Sequence, residues 1–223
     1  MRKTWVVLLA TVVTLISTVR TTSAQTLTDG DKQFWGTFVL NGNLPQKLKV
    51  SFEEELRIGE DASDFYYFHA EGGLTYELSK SVSLGAGYRQ VYEQKKERWL
   101  EERRPAAFVT LSWSWMGVEF SDRNRLEYRH REASTLMWRY RNKITAVFPH
   151  EWIGGKLQPF LSDELFVDLS EGEVVRNRIF AGVGRKLNKN VGVEAYYLLQ
   201  TSRQSTGDWT TFHVVGSKLK LSF

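Results

Sequence analysis

Cysteine is absent from the 223 residues. That excludes disulfides, thiolate-held metals, iron–sulfur clusters and cysteine nucleophiles. Proline is scarce, with four residues, and each sits at or near the end of an alternating segment, as its missing backbone donor requires. The signatures His-Glu-x-x-His, Gly-x-Ser-x-Gly and the phosphate loop are missing too, and no cofactor or metal is expected. After residue 24 no apolar run approaches the about 20 residues that a helical membrane span needs. If the remainder enters a membrane, it does so as a β-barrel. Aromatic residues are plentiful, at 13% with eight tryptophans, which rules out a disordered chain.

The N-terminus combines Met1-Arg2-Lys3, an apolar stretch from Thr4 to Val19 and a small-residue site ending at Ala24. This is the pattern of a secretory signal cleaved after residue 24. Cleavage removes Arg2, Lys3 and Arg20 and no acidic residue, so the net charge falls from +4 to +1. The surface is then not basic enough to suggest a nucleic-acid partner.

The rest alternates with period two. Between Lys47 and Ile58, one parity holds Leu48, Val50, Phe52, Leu56 and Ile58, and the other Lys49, Ser51, Glu53, Glu55 and Arg57. Alternation of this kind makes a strand with one apolar and one polar face. Ten such segments of about 11–15 residues follow one another from Lys47 to Phe223, longer than the usual 5–6 of soluble strands. An eleventh candidate, Phe34 to Leu40, would make an odd count. Bacterial barrels usually have even numbers, so the expectation is ten strands, with residues 25–46 supplying a plug or partial strand and 47–223 the barrel. Twelve strands remain open if the polar stretch Gln94–Arg104, taken as an external loop, hides another pair. The connections form a mostly tight set and a more polar set, as in barrels with short periplasmic turns and longer external loops. The terminal alternation of Leu219, Leu221 and Phe223 matches the signal recognised by barrel assembly machinery. The expected address is the outer membrane of a diderm bacterium, with its lipids as partners.

Two further stretches carry a resemblance: Asp122-Arg123-Asn124-Arg125-Leu126-Glu127-Tyr128-Arg129 with Trp138-Arg139-Tyr140-Arg141-Asn142-Lys143, and Glu164 to Leu169 with Arg176-Asn177-Arg178 and Gly182 to Asn190. They resemble the bacterial family catalogued as domain of unknown function 2490. The resemblance implies a membrane barrel and no particular activity.

With the apolar parity outward, the lumen is expected to hold Arg57, Arg123, Arg125, Glu127, Arg129, Arg139, Arg141, Glu164, Asp168, Arg176 and Arg178. Arginine–carboxylate pairs can be bidentate and geometrically specific. Such a ladder either fills the lumen or favours a small anionic solute in a porin-like channel. Two other readings stay open. One is a rim enzyme of the lipid A-modifying or protease type, for which His130, Glu132 and Ser134 are the polar candidates. The other is a soluble periplasmic barrel that binds a small ligand. Trp113, Trp115 and Trp152 near the tight turns, and Tyr66, Tyr67, Tyr92, Trp99 and Tyr128 near the loops, are expected to form two membrane girdles.

Overall fold

The computed structural model describes residues 29–95, 98–132, 136–149, 156–204 and 206–223. The signal expected over residues 1–24 lies outside them, as do Ser134 and Trp152.

Eleven strands form one closed barrel, and the described residues contain no helix. They are β1 (Asp31–Leu44), β2 (Leu48–Gly59), β3 (Asp64–Glu77), β4 (Val82–Lys95), β5 (Arg98–Trp115), β6 (Val118–Arg131), β7 (Met137–Val147), β8 (Gln158–Asp168), β9 (Glu173–Lys186), β10 (Val191–Arg203) and β11 (Trp209–Ser222). Each strand pairs antiparallel with its neighbours in sequence, except that β1 and β11 close the barrel in parallel. Closure leaves no strand edge unpaired.

The count corrects the expectation of ten or twelve. Residues 31–44 are neither plug nor partial strand. They pair with β2 from Phe34 to Leu44 and with β11 from Asp31 to Asn41. Their own alternation explains this: Asp31, Gln33, Trp35 and Thr37 are buried inside, while Phe34, Phe38 and Leu40 take the other face. The loop expected over Gln94–Arg104 is also absent. β4 and β5 run on to Lys95 and Arg98, with Val82–Lys95 paired against Arg98–Leu111.

The tight connections gather at one rim. The turn after β5 is Met116-Gly117, with φ of 50° and 80°. Both values are positive, as the two-residue hairpin turn that matches strand twist requires. The opposite loop rim carries residues 60–63, 169–172 and 206–208.

Outward positions are largely apolar, including Val50, Leu74, Leu84, Val109, Leu161 and Val215. Trp113 stacks on Phe120 at 5.4 Å near the short-turn rim, and Tyr128 meets Trp138 at 4.9 Å nearer the loop rim. Between these levels the apolar wall is interrupted on β6 to β9. Asn142 donates to Asp122 (2.5 Å), Asn124 also donates to Asp122 (3.1 Å), Tyr140 donates to Asn124, and Asn177 donates to Asp163 (2.7 Å). These polar groups satisfy one another across the strands.

The interior has two kinds of wall. Trp35, Phe180, Tyr196, Leu198 and Val214 form a buried apolar seam on β1 and β9 to β11, with Phe160 against it. Tyr196 lies flat over Gly216, where a Cβ would come within 2.1 Å of the ring. The remaining wall is charged. Tyr66 and Tyr67 also point inward, which corrects their placement in the outer girdle. A bulge opposite Arg57/Ile58 inserts an extra residue in β3, and one added residue reverses the facing of the next side chain. Tyr66 then donates to Gln33 at 2.7 Å.

Candidate functional site

The charged wall is organised around a few carboxylates, each shared between guanidinium groups. Glu127, 0% exposed, accepts from Arg139 Nε at 2.7 Å and from its Nη2. Arg125 Nε lies 3.0 Å from Glu127 Oε1 without hydrogen-bond alignment, and Arg141 lies 3.7 Å away. Glu71 holds Arg125 through two bonds of 2.6 and 3.1 Å and also pairs with Arg89. Glu164 takes Arg141 Nε at 2.5 Å and Arg178 at 3.3 Å. Glu55 takes Arg57 at 2.8 and 2.6 Å. Register produces this pattern. Arg125 and Arg141 face each other across β6–β7, and Glu164 sits beside Lys143 on one flank and Arg178 on the other.

Near the loop rim Glu102 collects three arginines: Arg129 (2.5 and 3.0 Å), Arg104 (2.6 and 3.0 Å) and Arg131 (2.7 Å). Glu102 and Arg104 escaped the sequence reading because both parities of Glu101-Glu102-Arg103-Arg104 are charged, so alternation there carries no signal. Arg89 is a charged residue on the inward parity of β4, between Gly87 and Val91, where the small and apolar neighbours give no charged ladder for it to join.

Two residues behave differently from the expected ladder. Asp168 is buried but accepts the backbone N–H of Ser170 at 2.8 Å. Among the described residues it pairs with no arginine, because it stands at the start of a turn whose backbone donors are closer. Arg176 donates to Ser202 at 2.9 Å instead of a carboxylate.

Arg57, Arg89, Arg141 and Arg178 border both compartments of the lumen, and aromatic rings lie against three of them. Arg57 lies 3.6 Å over Trp35, with Arg178 4.8 Å from the same ring. Arg139, Arg141, Arg176 and Arg178 stand 5.0–5.7 Å from Phe166. Guanidinium over a ring face is favourable, more so when desolvated. On the loop side of this layer the free space is about 50 Å³, bounded by nine arginines and one acid, Glu93. On the short-turn side a cavity of about 610 Å³ reaches the strand ends at Asn43 and Ser222. It is lined by nine basic and five acidic side chains.

The rim candidates come together only in part. His130 is exposed on the outer face of β6, opposite Arg103 in register. With Glu101, Arg103 and Glu132 it borders a shallow 290 Å³ hollow. Ser134 is outside the described residues. Leu219 and Phe223 are exposed on the outer face of β11 and its end, at the short-turn rim, and Leu221 is half-buried beside them.

No curated protein matches the chain in sequence. Among solved structures, LpxR from Salmonella typhimurium is similar at 10% identity and a TM-score of 0.50, over 83% of this chain and 87% of that one. An anion-selective porin from Comamonas acidovorans matches at 12% identity and a TM-score of 0.38, over 76% of this chain and 55% of that one. A family model described as protein of unknown function (DUF2490) matches residues 32–211, nearly the whole barrel. The chain belongs to the DUF2490 family.

Proposed function

We propose that this protein is an outer-membrane barrel of a Gram-negative bacterium whose lumen is blocked by its own side chains toward the loop rim. The observation that carries the reading is the inversion of ordinary packing, with apolar side chains outside and arginines and glutamates inside. Strand length agrees. The shortest strands have 11 residues, about 36 Å at about 3.3 Å per residue. At a tilt of about 45° they rise about 26 Å, the height of an outer-membrane apolar band. The signal-like N-terminus and the terminal Leu219, Leu221 and Phe223 fit export and assembly. The short-turn rim then faces the periplasm and the arginine-lined layer faces out.

The role this supports is a closed, structural or solute-holding barrel. Membrane fractionation with heat-modifiable gel mobility tests the location. A barrel that stays soluble without detergent after signal removal overturns it. Planar-bilayer recording tests the lumen: steady conductance in wild type would contradict a blocked one. The hollow at His130 favours a second reading, a rim enzyme acting on a lipid or peptide. Its test is turnover of lipid A, phospholipid and peptide panels by wild type, and its loss in His130→Ala.

A further inference from the structure

The 610 Å³ cavity has a charge imbalance that the arginine–glutamate network does not absorb. Most basic groups on its wall are already neutralised: Arg57 by Glu55, Arg89 and Arg125 by Glu71, Arg141 and Arg178 by Glu164, Lys49 by Glu77 at 2.5 Å. Glu194, also on the wall, is taken by Lys220. The fifth acid on the wall, Glu53, is shared between Arg89 at 3.3 Å and His69 at 3.2 Å. Three cations on the wall, Arg123, Lys143 and Lys218, form no ion pair among the described residues, and Glu164, opposite Lys143 in register, is already bonded to Arg141 and Arg178. Arg123 Nε is buried without a hydrogen-bond partner.

Their placement is not what stability alone selects. Arg123 and Lys143 are directly opposed across β6–β7, and like charges directly opposite destabilise a sheet pair. Each is held against the wall by a ring, Arg123 over Phe108 at 3.9 Å and Lys143 over Phe180 at 4.1 Å. A desolvated cation without a counter-charge is costly. Two such groups side by side, with Lys218 facing the same space, define a place where an incoming anion supplies the missing charge.

We infer that the periplasm-facing cavity binds a small multivalent oxyanion, phosphorylated or polycarboxylated, through Arg123, Lys143 and Lys218. The volume is in the range of small-molecule sites. A ligand with two or three negative charges matches the three unpaired cations, and the Phe108, Phe160 and Phe180 rings give its carbon skeleton an apolar side to lie against. The inference names the solute class and the residues for the solute-holding barrel proposed above, and it rests on that reading for the side from which ligand enters.

The test is calorimetric titration of the purified full chain in detergent with pyrophosphate and with citrate, at ionic strength matched with sodium chloride. Binding of either supports the site, and which of the two binds separates a phosphate source from a carboxylate source. Arg123→Gln is expected to weaken binding at least tenfold. The triple variant Arg123→Gln, Lys143→Gln, Lys218→Gln is expected to abolish it. Lys32→Gln, on the outer face at the loop rim, is expected to leave it unchanged. Heat-modifiable mobility confirms that each variant is folded, and Lys218→Arg is expected to restore binding if Lys218→Gln alone weakens it. Wild type that binds neither anion, or a folded triple variant that binds as wild type does, overturns the inference. Binding by a chain that does not enter membranes overturns the outer-membrane reading but keeps the site, whereas insertion without binding overturns the site alone.

Discussion

Glu127→Ala is the most direct probe of whether the lumen is a packed ionic network. Glu127 has no exposed surface. Among the described residues its strongest partner, Arg139, forms no other ion pair, the carboxylate of its cross-strand neighbour Asp168 being turned to the Ser170 backbone, and Arg139 would be left buried against Phe166, 5.0 Å away. Arg125 keeps Glu71, and Arg141 keeps Glu164. The loss is therefore dominated by one orphaned guanidinium, and breaking a buried pair from one side costs about 3–5 kcal/mol. At about 2–4 °C per kcal/mol for a chain of this size, the unfolding midpoint falls by roughly 6–20 °C. Replacing both partners, as in Glu127→Leu with Arg139→Leu, removes the unpaired charge and should recover most of the loss, because hydrophobic replacement of a whole buried pair is often neutral. Both are read as the temperature at which the folded gel band gives way to the unfolded one. An unchanged midpoint in Glu127→Ala, or a double variant as unstable as the sum of its singles, refutes the reasoning.

Three other outcomes follow from the packing. Trp35→Ala removes the ring clamped between Arg57 and Arg178; it should cost about 3–5 kcal/mol and, in bilayers, raise conductance by joining the two compartments. Gly216→Val drives a side chain into the Tyr196 ring and should cost about 1–3 kcal/mol as overpacking, seen as a lower midpoint in urea titration in detergent. Asp122→Asn removes the charge from the outward wall but keeps an acceptor for Asn142 and Asn124. If that wall meets lipid, the barrel reconstituted in vesicles should gain up to about 1–2 kcal/mol, and a loss of stability there would argue that water or protein covers the patch.

Much of the site was legible because alternation is a local signal. Arg125, Glu127, Arg129, Arg139, Arg141, Glu164 and Arg178 each sit opposite an apolar parity, so their facing follows from immediate neighbours. Where the local signal fails, so does the reading. Both parities are charged at Glu101-Glu102-Arg103-Arg104, which hid the carboxylate that gathers three arginines and made a strand look like a loop. Tyr66 took the wrong face because a bulge is set by the pairing of β3 with β2, not by the residues around it. Asp168 looked like a ladder member by parity, yet a turn donor two residues away claims it.

The sequence by itself determined that this is an all-β chain of long strands with a charged face and an apolar one, because side-chain facing repeats every two residues whatever the partner strand. Only the tertiary structure decided the number of strands, since whether Asp31–Leu44 belongs to the wall depends on pairing with β11, nearly the whole chain away. Closure also decided which carboxylate each arginine meets, and it left Arg123, Lys143 and Lys218 around one cavity with no ion pair among the described residues. Contacts across a lumen are set by barrel closure and strand register, and no stretch of sequence read alone contains either.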